Sequence, residues 1–180
     1  MNARLHSKVS DRRWFFFGLA LFCLGLSGCP RKGLHRWIFH KYNGSMQYSI
    51  GTLGREWRKV KVTENDIAFY NTIYSAIIQI NSTCRKDYED VSLPILRDHL
   101  LYGLTDRKIV EKQQRMLDRR AALLTRIKAK LDGVAVEASV MIMKKNSCIY
   151  DFAYISRPRH FGRGIGDFYR VIHGFKVLRQ

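Results

Sequence analysis

Thr125-Arg126-Ile127-Lys128-Ala129-Lys130-Leu131-Asp132-Gly133-Val134-Ala135-Val136-Glu137-Ala138-Ser139-Val140-Met141-Ile142 decides the fold class. Asp132-Gly133 is a two-residue hairpin signal, because both central positions of such a turn need a positive φ, which glycine adopts freely and aspartate tolerates. Before it, Thr125, Ile127, Ala129 and Leu131 alternate with Arg126, Lys128 and Lys130. After it, Val134, Val136, Ala138, Val140 and Ile142 alternate with smaller or polar residues. A period of two is the mark of a strand with its faces in different surroundings. By composition, Ala121-Ala122-Leu123-Leu124 through Leu131 also fits a helix. The strand reading is taken because the strand that follows the turn needs a partner.

Working outward, Asn146-Ser147 after Lys144-Lys145 forms a second turn, and Cys148, Tyr150, Phe152 and Tyr154 then share one strand face. Lys108 to Met116 reads as a preceding strand, which makes a four-stranded meander. Upstream, Trp57 to Val62 alternates as a short strand and Glu64-Asn65-Asp66 marks a turn. Ile67–Tyr70 and Ile73–Ile80 are rich in the β-branched and aromatic residues that strands favour, and Asn81-Ser82-Thr83-Cys84 ends that unit. Ser92 precedes Leu93, Leu96, Leu100 and Leu104, with Ile95 and Leu101 widening the stripe. This predicts an amphipathic helix with Ser92 as N-cap and Pro94 in its first turn. Downstream, Arg157-Pro158-Arg159-His160-Phe161-Gly162-Arg163-Gly164-Ile165-Gly166 reads as a basic glycine connector. It lacks the strand–loop–helix context and lysine end of a phosphate-binding loop. A last helix is expected from about Asp167, with Phe168, Val171, Ile172 and Phe175 on one side and Asp167 at its positive end.

The order strand–strand–strand, helix, four-strand meander, terminal helix resembles the Mog1/PsbP-like α/β/α sandwich. The resemblance covers Trp57 to Val177. It rests most on Cys148-Ile149-Tyr150-Asp151-Phe152-Ala153-Tyr154-Ile155-Ser156 and the aromatic anchors Phe168 and Phe175. It implies an α+β fold, an antiparallel sheet covered by helices. It also implies a binding or assembly factor rather than a catalyst, with no functional residue carried over.

The chain begins differently. Arg4, Lys8, Arg12 and Arg13 precede the 13-residue apolar run Trp14–Leu26, which is short of the roughly 20 residues that span a bilayer. Leu26-Ser27-Gly28-Cys29 resembles the lipobox of bacterial lipoproteins. That implies a signal peptide at 1–28 and a lipid, palmitate among its acyl groups, on Cys29. The alternative is an uncleaved N-terminal anchor with an incidental Cys29. Pro30, rather than aspartate, follows the cysteine, which implies the outer membrane, facing the periplasm. Residues 29–56 hold scattered glycines, Asn43-Gly44-Ser45 and no lasting period, and read as a basic tether of about 30 Å as a coil. The single domain is then 57–180. Trp37, Ile38 and Phe39 either dip into the membrane interface or dock on the domain.

Of 32 basic and 15 acidic residues, four and one leave with residues 1–28, so the mature chain carries a net charge of +14. Such a balance favours anionic partners. Export argues against nucleic acid and for anionic lipid, lipopolysaccharide or an envelope protein. Arg31, Lys32, Arg36 and Lys41, beside the anchor, are the expected contacts, each worth about 1 kcal/mol near an anionic surface. The alternative is charge that serves solubility alone.

Catalysis finds little support. His99, His160 and His173 are scattered, with no metal-ligand spacing and no Cys-x-x-Cys, and no nucleophile stands beside a base. Asp87, Glu89, Asp90 and Asp98 surround a helix start, where acids favour the dipole. No metal or cofactor is expected. Cys84 and Cys148 remain after Cys23 and Cys29 are accounted for, and in an oxidising compartment they are expected to pair. The alternative is two buried thiols. The reading is a lipid-anchored, non-catalytic binding or envelope-assembly module. The alternatives are a periplasmic hydrolase and a nucleic-acid-binding protein with an uncleaved anchor.

Overall fold

The computed structural model describes residues 38–42, 46–62, 66–84 and 90–178, with the backbone course alone for 38–42 and 46–47. Its strands are β1 (Ile38–Tyr42), β2 (Met46–Ile50), β3 (Trp57–Val60), β4 (Ile67–Asn71), β5 (Ala76–Cys84), β6 (Leu104–Leu117), β7 (Arg120–Leu131), β8 (Val134–Lys145), β9 (Cys148–Ser156) and β10 (Lys176–Leu178). Helix α1 spans Leu93–Leu100 and α2 spans Phe161–His173, entered through a 3-10 turn at Pro158–His160. The main sheet is antiparallel throughout, in the order β3-β4-β5-β9-β8-β7-β6, and β1-β2-β10 form a small sheet.

Three two-residue turns build the meander. Asp118-Arg119, Asp132-Gly133 and Asn146-Ser147 all have positive φ at both positions, which matches the twist of the strands they join. At the other end of the sheet, buried Asn71 turns β4 into β5, its Oδ1 accepting from the amides of Ile73 at 2.9 Å and Tyr74 at 3.0 Å. β5 therefore starts at Ala76, three residues later than its composition predicts.

Alternation gives the main sheet two apolar faces, and both are covered. On one, Tyr150, Phe152, Tyr154, Ile78, Ile80, Leu124, Met141 and Met143 meet Phe168, Val171 and Ile172 of α2 and Tyr48 and Ile50 of the small sheet. Phe175 lies between the two sheets, with ring centroids 5.0 Å from Tyr150, 5.0 Å from Phe152 and 5.6 Å from Tyr48. On the other, Leu96, Leu100 and Leu101 cover Ile127, Ala138, Val140, Ile142 and Ile149. This is the α+β sandwich expected, with a helix on each face.

Three expectations are corrected. The glycine stretch 162–166 is no connector, because α2 begins at Phe161. Gly164 lies where a Cβ would come within 2.6 Å of the Tyr154 hydroxyl oxygen, and that hydroxyl donates to the Phe161 carbonyl at 3.1 Å. The stretch 29–56 is not tether throughout, since β1 and β2 pair with each other and with β10. Tyr48 and Ile50 are fully buried, so ordered structure starts well before Trp57. At Gly51 a Cβ would meet the Arg170 carbonyl oxygen at 1.9 Å, while the Gly51 amide donates to Val171. Leu104, expected on the helix stripe, opens β6, which runs to Leu117 rather than from Lys108 to Met116.

Cys84 and Cys148 face each other in the β5–β9 ladder and are bonded, with Cα atoms 4.0 Å apart. Closing a loop over a separation of 64 residues restricts the unfolded chain by about 4 kcal/mol on the chain-entropy estimate. Denatured but unreduced protein should therefore show neither Cys84 nor Cys148 as a free thiol. The Cys84→Ala/Cys148→Ala variant should lose up to about that much stability in urea unfolding; an unchanged midpoint would show that the bond restricts nothing.

Candidate functional site

Beside α2, the main sheet is not filled to its edge. A groove of about 540 Å³ runs between α2 and the β6–β7–β8 end, lined by Arg115, Met116, Leu117, Leu124, Met141, Tyr169, Ile172 and His173. Register explains its floor. Leu124 lies directly opposite Met141 in the β7–β8 ladder, and alternation points both at α2. Tyr169, Ile172 and His173 meet them from the helix at i, i+3 and i+4, where side chains share a face. The Tyr169 and His173 rings lie nearly parallel, with centroids 6.4 Å apart. Met116, 72 % exposed, forms the lip.

Along the same sheet face beyond the groove, cations interleave with acids, with Glu111 opposite Arg126 and Glu137 opposite Lys128. Arg115 stands opposite Ala122, and Lys108 stands opposite Lys128, a like-charge pair that costs stability in a sheet. Arg126 is satisfied, since Glu137 accepts from its Nε at 2.7 Å and pairs with its terminal nitrogen at 2.6 Å, and its guanidinium lies 4.5 Å over the Phe161 ring. Lys130 pairs with Asp106 at 2.8 Å. Lys108, Arg115 and Lys128 form no ion pair among the described residues. The site is an apolar slot with Arg115 at its mouth.

A second polar feature runs through the sheet itself. The Asp66 carboxylate accepts from Tyr48 at 3.2 Å and from Ser82. Asn81 accepts from the Asp66 amide and donates to the Asp151 carboxylate at 2.8 Å. Burial first, and then the charge of Asp66, push the Asp151 carboxyl up to about 6 against the help of Asn81. At the β6–β7 turn the balance falls the other way. Burial would raise Asp118, but hydrogen bonds from Lys145 and the Val177 amide and the charges of Lys145 and Arg119 hold it below the usual carboxylate range. Asp118 thereby ties the hairpin to β10.

Sequence reasoning reached some of these residues. Cys84 and Cys148 are together. Cys29, Arg31, Lys32 and Arg36 lie outside the described residues, and Lys41 falls in β1, where the backbone alone is described. His160 meets the Tyr74 carbonyl at 2.8 Å, while His173 joins the groove and His99 a cleft beneath α1. Arg115, Met116 and Tyr169 were missed. The spacing of Tyr169, Ile172 and His173 was visible, but nothing local says that Leu124 and Met141 lie under them. Among the described residues no three His, Cys, Asp or Glu side chains converge on a metal site, and no helix is long and apolar enough to cross a membrane.

No protein-family model matches the chain, and no curated protein does. Solved structures do match. Cyanobacterial PsbP (CyanoP) of Synechocystis superposes with a TM-score of 0.54 at 11 % identity, over 85 % of this chain and 99 % of that one. The fold is PsbP-like. LpqN of Mycobacterium tuberculosis, described as involved in cell envelope biogenesis, gives 0.57 at 10 % identity over 79 % and 89 %. A Bacteroides thetaiotaomicron protein gives 0.51 at 10 % identity, and there the match spans 74 % of this chain and 46 % of that protein. Identities this low carry the PsbP-like architecture and no site residues.

The raised Asp151 has a definite consequence for stability. Between about pH 4 and pH 6 the folded chain holds a proton that the unfolded chain has released, so this carboxyl makes stability fall as pH rises through that window. The cost is complete above about 6 and is roughly 3 kcal/mol at most. Asp151→Asn keeps the shape and can still accept from Asn81, so it should stabilise the domain at pH 7.5 and leave it nearly unchanged at pH 4. Equal effects at both pH values in urea unfolding would contradict the burial of this charge.

Proposed function

We propose that this chain is a lipid-anchored, non-catalytic binding module of the bacterial envelope, and that the groove beside α2 takes an anionic amphiphile. The observation that carries the ligand class is the union of an apolar floor with Arg115 at the mouth, which forms no ion pair among the described residues. Leu117, Leu124, Met141 and Ile172 present apolar surface, and Arg115 presents positive charge. An acyl chain gains about 25 cal/mol per Å² of apolar surface that it buries. An anionic head beside a guanidinium adds a charge-assisted hydrogen bond. The groove volume lies within the usual range for small-molecule sites. The net charge of +14 left after residues 1–28 points the same way.

Attachment supplies the place. Cleavage at Gly28–Cys29 and lipidation of Cys29 would hold the domain at the outer membrane, facing the periplasm, where anionic lipid, lipopolysaccharide and envelope proteins are the available partners. Arg31, Lys32, Arg36 and Lys41 would add attraction to the surface, weakening as salt rises. The reported role of LpqN in envelope biogenesis is compatible with a PsbP-like domain in this compartment. The polar groups lining the groove are Arg115, Tyr169 and His173, with no carboxylate, serine or cysteine among them.

Two measurements test this. Cys29→Ser should leave the precursor unprocessed in cells, and normal processing would refute lipid attachment. The chain without residues 1–29 should bind lysophosphatidylglycerol at least tenfold more tightly than lysophosphatidylcholine of the same chain length. Arg115→Glu with Met116→Asp, both at the exposed lip, should remove that preference without lowering stability. Equal affinity for the two lipids would rule out the basic mouth as the recognition element.

A further inference from the structure

Opposite the groove, under α1, lies a smaller cleft of about 200 Å³. Its walls are Leu96 and Leu100 from the helix and Ile142 and Ile149 from β8 and β9, and its polar groups are Thr83, His99 and Asp151. In a chain of net charge +17, this cleft holds one carboxylate and no Lys or Arg among its lining residues. Asp151 receives a single hydrogen bond among the described residues, from Asn81 directly across the β5–β9 ladder. Among the described residues, then, one carboxylate oxygen is engaged and the second receives no hydrogen bond.

We propose that the α1 cleft is a binding site for a primary alkylammonium group, such as the end of a lysine side chain. The chemistry selects among cations. A hard metal ion wants six or more oxygen ligands, and here one carboxylate and one hydroxyl stand among leucine and isoleucine. A guanidinium gains from both oxygens of a carboxylate at once, and Asn81 already occupies one of them. An ammonium is a compact charge with three donors. One donor goes to the second Asp151 oxygen, and Thr83 and the His99 ring offer further acceptors. The attached methylenes lie on Leu96, Leu100, Ile142 and Ile149, as aliphatic stems of charged side chains do on apolar surface.

The desolvation of Asp151 supports this reading. A carboxylate kept where burial disfavours its charge is a stability cost that an incoming cation offsets, and groups in that situation cluster at functional sites. Ethanolammonium would place a hydroxyl against the apolar walls, two carbons from the nitrogen, so a lipid headgroup of that kind fits less well than a plain alkyl chain.

The test uses the full chain in neutral-detergent micelles at pH 7.5, with ¹⁵N amide shifts read while a probe is added. n-Butylammonium should shift Thr83, His99, Ile149 and Asp151 saturably, and n-butanol should not. Asp151→Asn should weaken n-butylammonium at least tenfold. Because this variant is expected to be more stable than the parent, its loss of binding cannot come from unfolding. Ethanolammonium should bind at least tenfold more weakly than n-butylammonium. Equal shifts with n-butanol, unchanged affinity in Asp151→Asn, or tighter binding of ethanolammonium would each overturn the proposal.

Discussion

The β5–β9 ladder is the pairing on which the rest of this protein depends. It joins two strands far apart in sequence through nine opposed residues, from Ala76 with Ser156 to Cys84 with Cys148. It is also the seam between the N-terminal strands and the meander. Local turns build everything on either side, but only this ladder makes one sheet of them. Long-range antiparallel pairing is slow to form, because loop closure must precede the reward. Register here also matters more than elsewhere. A slip of one residue would turn Tyr150, Phe152 and Tyr154 toward α1 and press Asp151 into the aromatic core, since strand side chains alternate strictly. The disulfide sits at one end of this ladder and forbids the slip.

What the sequence showed follows from how local each cause is. The meander was legible because its alternation and two of its turns, Asp132-Gly133 and Asn146-Ser147, lie within a few residues of their effects. Asp118-Arg119 was not, because arginine at a φ of 65° carries no turn signal; it is held there by the strands it joins and by Asp118, which reaches Lys145 and Val177. The small sheet was hidden for another reason. β1, β2 and β10 are three to five residues long, and β2 finds one of its partners at the far end of the chain, so no window of sequence contains the cause. The glycines of α2 misled in the opposite sense. Glycine disfavours a helix by about 1 kcal/mol, yet Gly164 is needed there because the Tyr154 hydroxyl leaves no room for a side chain. Tertiary contact overrode propensity. The same holds for Asp167, which reads as a helix-end acid but lies mid-helix, accepting from the Trp57 indole at 2.9 Å and from Arg170 at 2.7 Å.

The two faces of the sheet differ in the side chains they present. Toward α2, the even-numbered positions of β7 carry Arg126, against Phe161 at the start of the helix, then Lys128 and Lys130. Toward α1, the odd-numbered positions of β9 carry Ile149, Asp151, Ala153 and Ile155, with Asn81 opposite Asp151 and Lys144 opposite Ile149. Alternation alone produces this segregation, since a strand that alternates two chemistries must show one to each side. A single antiparallel sheet thus carries a groove on one face and a smaller cleft on the other.

That economy bears on how the structural neighbours are to be used. CyanoP and LpqN share the architecture at 10–11 % identity, as expected when a ladder, a set of turns and two covered faces specify a fold that many sequences can satisfy. A shared sandwich fixes where grooves can form, beside each helix and over the sheet, but not what lines them. In this chain the lining is set by a few positions that the fold leaves unconstrained. Arg115 and Met116 lie on an exposed edge strand, where almost any residue would pair equally well. At Asp151 the opposed Asn81 would be as well satisfied by a neutral amide as by a charge. These are residues that the architecture does not require, and at Asp151 it would be more stable without the buried charge.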